Sequence, residues 1–238
     1  MSGACPRRVV EHNSLSHSPA VLPAVAGGSH NWLDCLASRA TIVRVARNTE
    51  IIAQGESSEY CFQLVSGCVR TAMLLDDGRR QIGEFLFPGD VLGYDTADEQ
   101  PYGASAVTEV VLRRFRRDLI EAEAARNPQF DQELRHYLTS QVRSARVRLA
   151  LLGRGTAGER ISSFLREMQA RLSSAGSGGF EMPMKLTDVA DYLGLALETV
   201  SRGMAERRRA GAVTASRSRI TTRTIVGLKA GNGSSLHH

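Results

Sequence analysis

Residues 185–209 read K-L-T-D-V-A-D-Y-L-G-L-A-L-E-T-V-S-R-G-M-A-E-R-R-R, and this stretch decides the reading of the chain. Its spacing predicts two short helices joined at Gly194, where a tight turn calls for positive φ. Thr187 is the expected cap of the first helix, and Asp188 adds negative charge to its first turn. Val189, Ala190 and Leu193 give that helix an apolar face. The second helix runs from about Ala196. On it Glu198, Ser201 and Arg202 fall at i, i+3 and i+4 and share one face. Val200 and Met204 fall on the opposite, apolar face. This is the helix-turn-helix layout. The plain alternative is a surface helix carrying an i,i+4 Glu–Arg pair.

The exposed face has the chemistry to read DNA. A carboxylate accepts from cytosine N4, an arginine grips guanine O6 and N7, and a hydroxyl serves either way. Charge is distributed to match. Residues 154–238 carry 13 Lys/Arg against 7 Asp/Glu, whereas residues 1–153 carry 17 against 18. The whole basic excess of this 238-residue chain therefore lies beside the helix-turn-helix, as a nucleic-acid footprint requires. Cys5, Cys35, Cys61 and Cys68 form no C-x-x-C pair and are too few for a secreted disulfide scaffold. Arg7 and Arg8 lead into no apolar signal region, and the longest apolar runs fall short of a membrane span. The expectation is a cytoplasmic protein with no membrane partner. G-x-S-x-G, P-loop and metal-binding-helix motifs are missing from the sequence, so an enzyme is not expected.

Outward from the helix-turn-helix, five segments are expected. Residues 1–30 are rich in Ser, Pro, Ala and Gly and read as a flexible arm, whose His12, His17 and His30 match no zinc spacing. Residues 31–126 read as a β-domain opened by a short helix around 31–38. Short β-branched or alternating runs follow at 41–45, 50–53, 60–65, 68–75, 80–86, 105–107 and 110–115, with turn signals between them. That pattern predicts an antiparallel barrel or sandwich, with Asp76-Asp77-Gly78 as a hairpin tip. Residues 127–153 read as a long helix. Its stripe is Leu134, Leu138, Val142 (or Gln141), Ala145, Leu149 and Leu152, at close to a 3.5-residue repeat, with Arg135, Arg143, Arg146 and Arg148 largely off it. The stripe packs either on a second copy or on the barrel. Pairing is preferred, because a palindrome-reading motif needs a two-fold partner.

Residues 154–230 form the DNA-binding unit. A helix over 156–172 turns Ile161, Phe164, Leu165, Met168 and Leu172 inward. A Ser/Gly loop spans 173–179, and a short extended piece covers 182–184. After the helix-turn-helix, Gly211 ends the second helix and a hairpin is expected over 212–216 and 219–225. Arg217 and Arg219 sit at its tip, which makes this a winged helix. Residues 231–238 read as a disordered tail, and Leu236-His237-His238 as the remnant of a purification tag.

These residues together resemble the Crp/Fnr superfamily of bacterial transcription regulators over roughly residues 35–228. The resemblance rests on Y-C-F-Q-L-V-S-G-C-V-R (60–70), D-D-G-R-R-Q-I-G-E-F-L-F-P-G-D-V-L-G (76–93), L-L-G-R-G-T-A-G-E-R-I-S-S-F-L (151–165) and D-Y-L-G-L-A-L-E-T-V-S-R (191–202). L-L-G-R, E-R-I-S-S-F-L and E-T-V-S-R are most similar to the Fnr and FixK branch. The resemblance implies an α+β fold: a cyclic-nucleotide-binding-like antiparallel β-roll, a long dimerisation helix and a C-terminal winged helix-turn-helix. It also implies a homodimer that reads palindromes of the form TTGAT-N4-ATCAA and recruits RNA polymerase. Low-oxygen or nitrogen-fixation genes are the targets expected of the branch. Glu198 and Arg202 would contact the inner G·C pair and Ser201 a thymine. Lys185, Thr187, Thr199, Arg207, Arg208, Arg217 and Arg219 would contact the backbone.

The sensor differs between branches. Only Cys5 precedes Cys35, so a four-thiolate iron–sulfur cluster is not expected. Residues 93–106, G-Y-D-T-A-D-E-Q-P-Y-G-A-S-A, contain no arginine to pair a cyclic phosphate, so cyclic AMP is not expected either. No cofactor is expected; haem stays an open alternative. So does redox control through Cys5, Cys61 or Cys68, and so does a ligand-binding β-roll with incidental DNA affinity. Two residues depart from the family pattern. Arg207 stands where relatives carry a core leucine, its stem expected to pack and its head to reach solvent. Gly203 lies inside the recognition helix, at a cost of up to about 1 kcal/mol against alanine.

Overall fold

The computed structural model describes residues 31–57, 59–94, 99–173, 180–211, 213–216 and 219–222. The expected arm with Cys5 and its histidines, the loop 174–179, Arg217 and the tail lie outside them. The short helix expected near residue 31 forms as a 3₁₀ segment, Asn31–Arg39. Eight strands follow: β1 (Thr41–Val45), β2 (Glu50–Ile52), β3 (Tyr60–Ser66), β4 (Val69–Leu74), β5 (Arg80–Leu86), β6 (Val91–Leu92), β7 (Gly103–Ala106) and β8 (Val110–Arg116). They make two antiparallel four-stranded sheets, in the orders β1-β8-β3-β6 and β2-β7-β4-β5. The alternation in the sequence points one side chain in two inward, so Val110 and Leu112 of β8 are buried in the roll, while Phe115 on the opposite face is buried against the helices that flank it. Ile52, Leu64, Val69, Leu86, Leu92, Ala104 and Ala106 complete a filled apolar interior. The β4–β5 hairpin turns at the expected Asp76-Asp77-Gly78, closed by Leu75 N–H donating to Arg79 O at 2.8 Å. The two-residue β6 was not expected, being too short to show alternation.

Two helices follow where one was expected. α1 (Arg117–Arg126) buries only Ile120 and Glu123, too little apolar pattern to be seen in sequence. The break before α2 (Pro128–Arg154) is built by Asn127, whose side chain accepts from Phe130 N–H at 3.2 Å, and by Pro128 at the first helical position. Phe130, Leu134 and Tyr137 pack α2 against Trp32, Leu36 and Ile120. Tyr137 donates its hydroxyl to Val91 O at 2.9 Å. Beyond Leu138 the stripe is bare: Val142 is 50% exposed and Leu149 72%.

α3 (Ala157–Leu172) starts at a capping box, Thr156 with Glu159. It buries Ile161, Phe164, Leu165 and Met168 as expected, with Leu172 partly covered. Then come β9 (Phe180–Glu181), α4 (Leu186–Leu193), α5 (Leu197–Arg209), β10 (Val213–Ser216) and β11 (Arg219–Thr222). The last three strands pair in the order β10-β11-β9, so the wing is a three-stranded antiparallel sheet. The extended piece expected at 182–184 lies earlier, at β9, while Met182 and Met184 are buried in the core. One apolar cluster runs unbroken from Ile82, Phe85, Phe87 and Val107 of the roll into Phe164, Leu165, Tyr192, Val200 and Met204.

Candidate nucleic-acid interface

α4 and α5 are joined through Gly194, whose φ of +59° and ψ of 42° lie in the left-handed region that a side chain disfavours. Leu195 N–H reaches back to Ala190 O at 3.1 Å and closes the turn. Val200 and Met204 are buried, which fixes the opposite face of α5 outward. Glu198, Ser201 and Arg202 are all exposed on that face. Among the described residues none of the three has a hydrogen bond or ion pair, so the i,i+4 pair of an ordinary surface helix is not made. Lys185, Thr187, Arg208 and Arg209 are exposed around them, and Thr199 is half-exposed. Arg219 enters through its backbone pairing with Ser216 and Glu181.

Two expected roles are corrected. Thr187 does not cap α4: the cap position is Lys185, without a side-chain bond, and Thr187 lies inside the first turn. Arg207 does not face a phosphate. It is 8% exposed, and its guanidinium is turned into the protein. Nη1 donates to Gly203 O at 2.9 Å, while Nη2 donates to Gly158 O at 2.5 Å and Ser162 Oγ at 2.7 Å. Burial holds its pKa below the usual arginine value, with Arg166 adding to the effect. The carbonyl and hydroxyl acceptors explain why its head stays inside instead of reaching water.

What holds the helix-turn-helix in place was not visible in the sequence. Asp188, 3% exposed, accepts from Arg70 Nη1 at 2.9 and 3.0 Å and from Arg80 Nη2 at 2.7 Å. Arg80 also bonds Asp191 at 2.9 Å through Nε and 2.5 Å through Nη2, and Gln81 Nε2 donates to Asp191 O at 2.7 Å. β4 and β5 thus grip α4 directly. The other end of α3 is pinned by Arg171, which pairs with buried Asp90, donates to Phe85 O at 3.2 Å and lies over the Phe87 ring. Between these two grips sits Tyr192. Its ring packs with Phe85 and Phe164, Arg148 of α2 lies 4.5 Å above it, and its hydroxyl donates to Glu167 at 2.9 Å. Burial, with Glu167 beside it, raises the Tyr192 pKa well above the usual phenol value, so the hydroxyl stays a donor. Arg160 ties the hinge after α2, donating to Leu152 O, Gly155 O and Leu193 O at 2.7, 2.9 and 3.0 Å. The available sequence signal was Asp188 and Asp191: two carboxylates at i,i+3 on one helix with no basic residue in that helix to pair them.

On the sensor side, Cys61 and Cys68 are buried, and desolvation pushes both thiols up to about 12. Among the described residues no three His, Cys, Asp or Glu side chains cluster to hold a metal. Gln100 is buried and donates to Gly93 O at 3.2 Å. Arg70, which donates to Ser105 Oγ at 3.0 Å, has its outer nitrogen engaged by Asp188.

Residues 42–127 match the cyclic nucleotide-binding domain family, and residues 159–230 the Crp-like helix-turn-helix domain family. The nitrogen fixation regulation protein FixK of Azorhizobium caulinodans is 36% identical over 177 residues, 73% of this chain and 71% of that protein. The transcriptional activator protein FnrL of Cereibacter sphaeroides is 32% identical over 169 residues, 68% of each. The structure of FixK2 from Bradyrhizobium japonicum superposes with a TM-score of 0.74 at 38% identity, covering 78% of this chain and 93% of that one. The β-roll, the long helix and the winged reading unit occur in the same chain as these matches, and the protein belongs to the Crp/Fnr family of transcription regulators.

Proposed function

We propose that the protein is a DNA-binding transcription activator of the FixK type, a homodimer that reads TTGAT-N4-ATCAA-like palindromes without a small-molecule effector. The observation that carries this reading is the face of α5: three polar side chains, exposed and without internal partners, on a helix anchored from behind. Glu198 and Arg202 are assigned to the G·C pair and Ser201 to a neighbouring thymine. Lys185, Thr187, Thr199, Arg208, Arg217 and Arg219 are assigned to phosphates; Arg207 is withdrawn from that set. The bare stripe of Val142, Ala145 and Leu149, continued by the half-covered Leu138 and Leu152, is assigned to a second copy, which sets two recognition helices about one DNA turn apart.

The absence of an effector is supported by what fills the roll. Its interior is apolar and packed, residues 93–106 offer no cation, and Arg70 is already paired, so these residues do not fit a cyclic phosphate. The buried, protonated thiols Cys61 and Cys68 favour packing over redox sensing. Among the described residues no helix is long and apolar enough to cross a membrane, which fits a cytoplasmic regulator that recruits RNA polymerase. The name of the Azorhizobium relative, nitrogen fixation regulation protein FixK, supports nitrogen-fixation genes as targets; low-oxygen genes are the targets expected from the resemblance to the Fnr and FixK branch. An enzymatic role has no support in any of these relatives. The test is Arg202→Ala, assayed by fluorescence anisotropy on the palindrome and on a duplex with its G·C pairs inverted. The variant is expected to lose about 1–3 kcal/mol of discrimination at that pair. Full discrimination by the variant would end the direct-readout assignment.

A further inference from the structure

Arg207 and Gly203 both break the family pattern, and the structure places them against one another. A Cβ on Gly203 would meet Ile161 Cδ1 at 2.5 Å and Arg207 Nη1 at 3.4 Å, so the space a side chain would take there is filled by the tip of Ile161 on α3 and by the guanidinium. The Gly203 carbonyl is also one of the three acceptors of the Arg207 guanidinium; the others, Gly158 O and Ser162 Oγ, lie on the first two turns of α3. Among the described residues Arg207 makes no ion pair, and the charge of the neighbouring Glu206 offsets only part of the desolvation, so its burial is a cost that a leucine would avoid. Its place in the last turn of α5 offsets part of that cost through the helix dipole. What the arginine adds is direction. Two of its three acceptors lie on α3, so the planar fork makes directional hydrogen bonds across the helix pair that a leucine cannot make.

We propose that Arg207 is a positioning residue for DNA readout: with Gly203 as its complement, it fixes the rotation of α5 on α3 and thereby the register in which Glu198, Ser201 and Arg202 meet the base edges. This inference rests on the DNA-reading function proposed above. Arg202 is adjacent to Gly203, so a rotation of the helix at this contact is passed directly to the reading face.

The experiment compares wild type, Arg207→Met, Ser162→Ala and Arg208→Ala. Each is titrated by anisotropy against the palindrome and the G·C-inverted duplex at several salt concentrations, and melted in parallel. Arg207→Met is expected to hold its melting temperature, because a buried unpaired charge has been replaced by an apolar chain of similar length. It should keep the wild-type salt slope yet lose about tenfold in discrimination. Ser162→Ala, which leaves the core intact, should lose discrimination by about two- to threefold, at the scale of a single neutral hydrogen bond. Arg208→Ala should instead weaken both duplexes alike and lower the salt slope by about 1. Wild-type discrimination in Arg207→Met overturns the proposal, as does a reduced salt slope, the mark of a phosphate contact. Should Arg207→Met fail to fold, Ser162→Ala decides alone, and unchanged discrimination there overturns it. A wild-type protein that does not discriminate sinks the DNA-reading function itself, and this inference with it.

Discussion

In the seam between the roll and α4, Asp188 holds two arginines, Asp90 holds Arg171, and Glu167 takes the Tyr192 hydroxyl. A few residues along the chain, on the outer face of α5, Glu198, Ser201 and Arg202 hold nothing among the described residues. Both regions are polar, and α4, gripped in the first, leads directly into α5, which carries the second. The difference teaches where to look for a partner: groups that satisfy one another build the frame, and groups left unsatisfied on a rigid frame await something outside the chain. The bare half of α2 obeys the same logic in apolar terms, with Leu134 covered by the roll and Leu149 covered by nothing.

The comparison breaks most visibly on α2. Val142→Asp with Leu149→Asp puts charge on the bare stripe and should give a folded monomer by sedimentation velocity. Its affinity for the palindrome should fall by about 10²–10⁴, the avidity lost when two half-sites are no longer bound together. The next effect separates frame from reading face directly. Asp188→Ala leaves Arg70 and Arg80 facing one another and should cost about 2–3 kcal/mol in urea unfolding, less than a fully buried pair because Arg80 is partly exposed. Glu198→Ala should change stability by less than about 0.5 kcal/mol, having no partner to lose.

A smaller effect lies at the start of α3. Thr156→Ala removes the cap and should cost about 1 kcal/mol. Hydrogen bonds from the Thr156 backbone N–H and hydroxyl hold the Glu159 carboxyl below the usual glutamate range. Its stabilisation is therefore present above the ordinary glutamate pKa and disappears as pH falls through the lower folded value. Thermal melts of Glu159→Gln should accordingly show a flatter decline below about pH 4 than wild type. The smallest change needs no mutation. With maleimide at neutral pH, Cys35 is exposed and should label in the native protein, whereas Cys61 and Cys68 should label only in denaturant.

The roll, the long helix and the helix-turn-helix could be read from sequence because each repeats a short-range pattern. Strand alternation, the 3.5-residue stripe and the glycine between two amphipathic helices are all local. The exposed polar face of α5 was legible for the same reason, as Glu198, Ser201 and Arg202 fall within five residues of one helix. The grip on α4 was not, because Arg80 and Arg70 stand 108 and 118 residues from their shared partner Asp188. No local rule pairs a strand arginine with one distant carboxylate among many. Arg207 was misplaced for a related reason. Its burial depends on Gly158 and Ser162 of another helix, and in isolation an arginine in the last turn of a basic helix reads as a phosphate contact.

On the function proposed for it, α5 reads DNA without a ligand. The most direct measurement titrates purified protein, with no effector added and at fixed salt, against a TTGAT-N4-ATCAA duplex and its G·C-inverted counterpart. Tight binding to the first and at least tenfold weaker binding to the second are expected. Equal, weak binding to both, rescued only by a small molecule, would contradict that function.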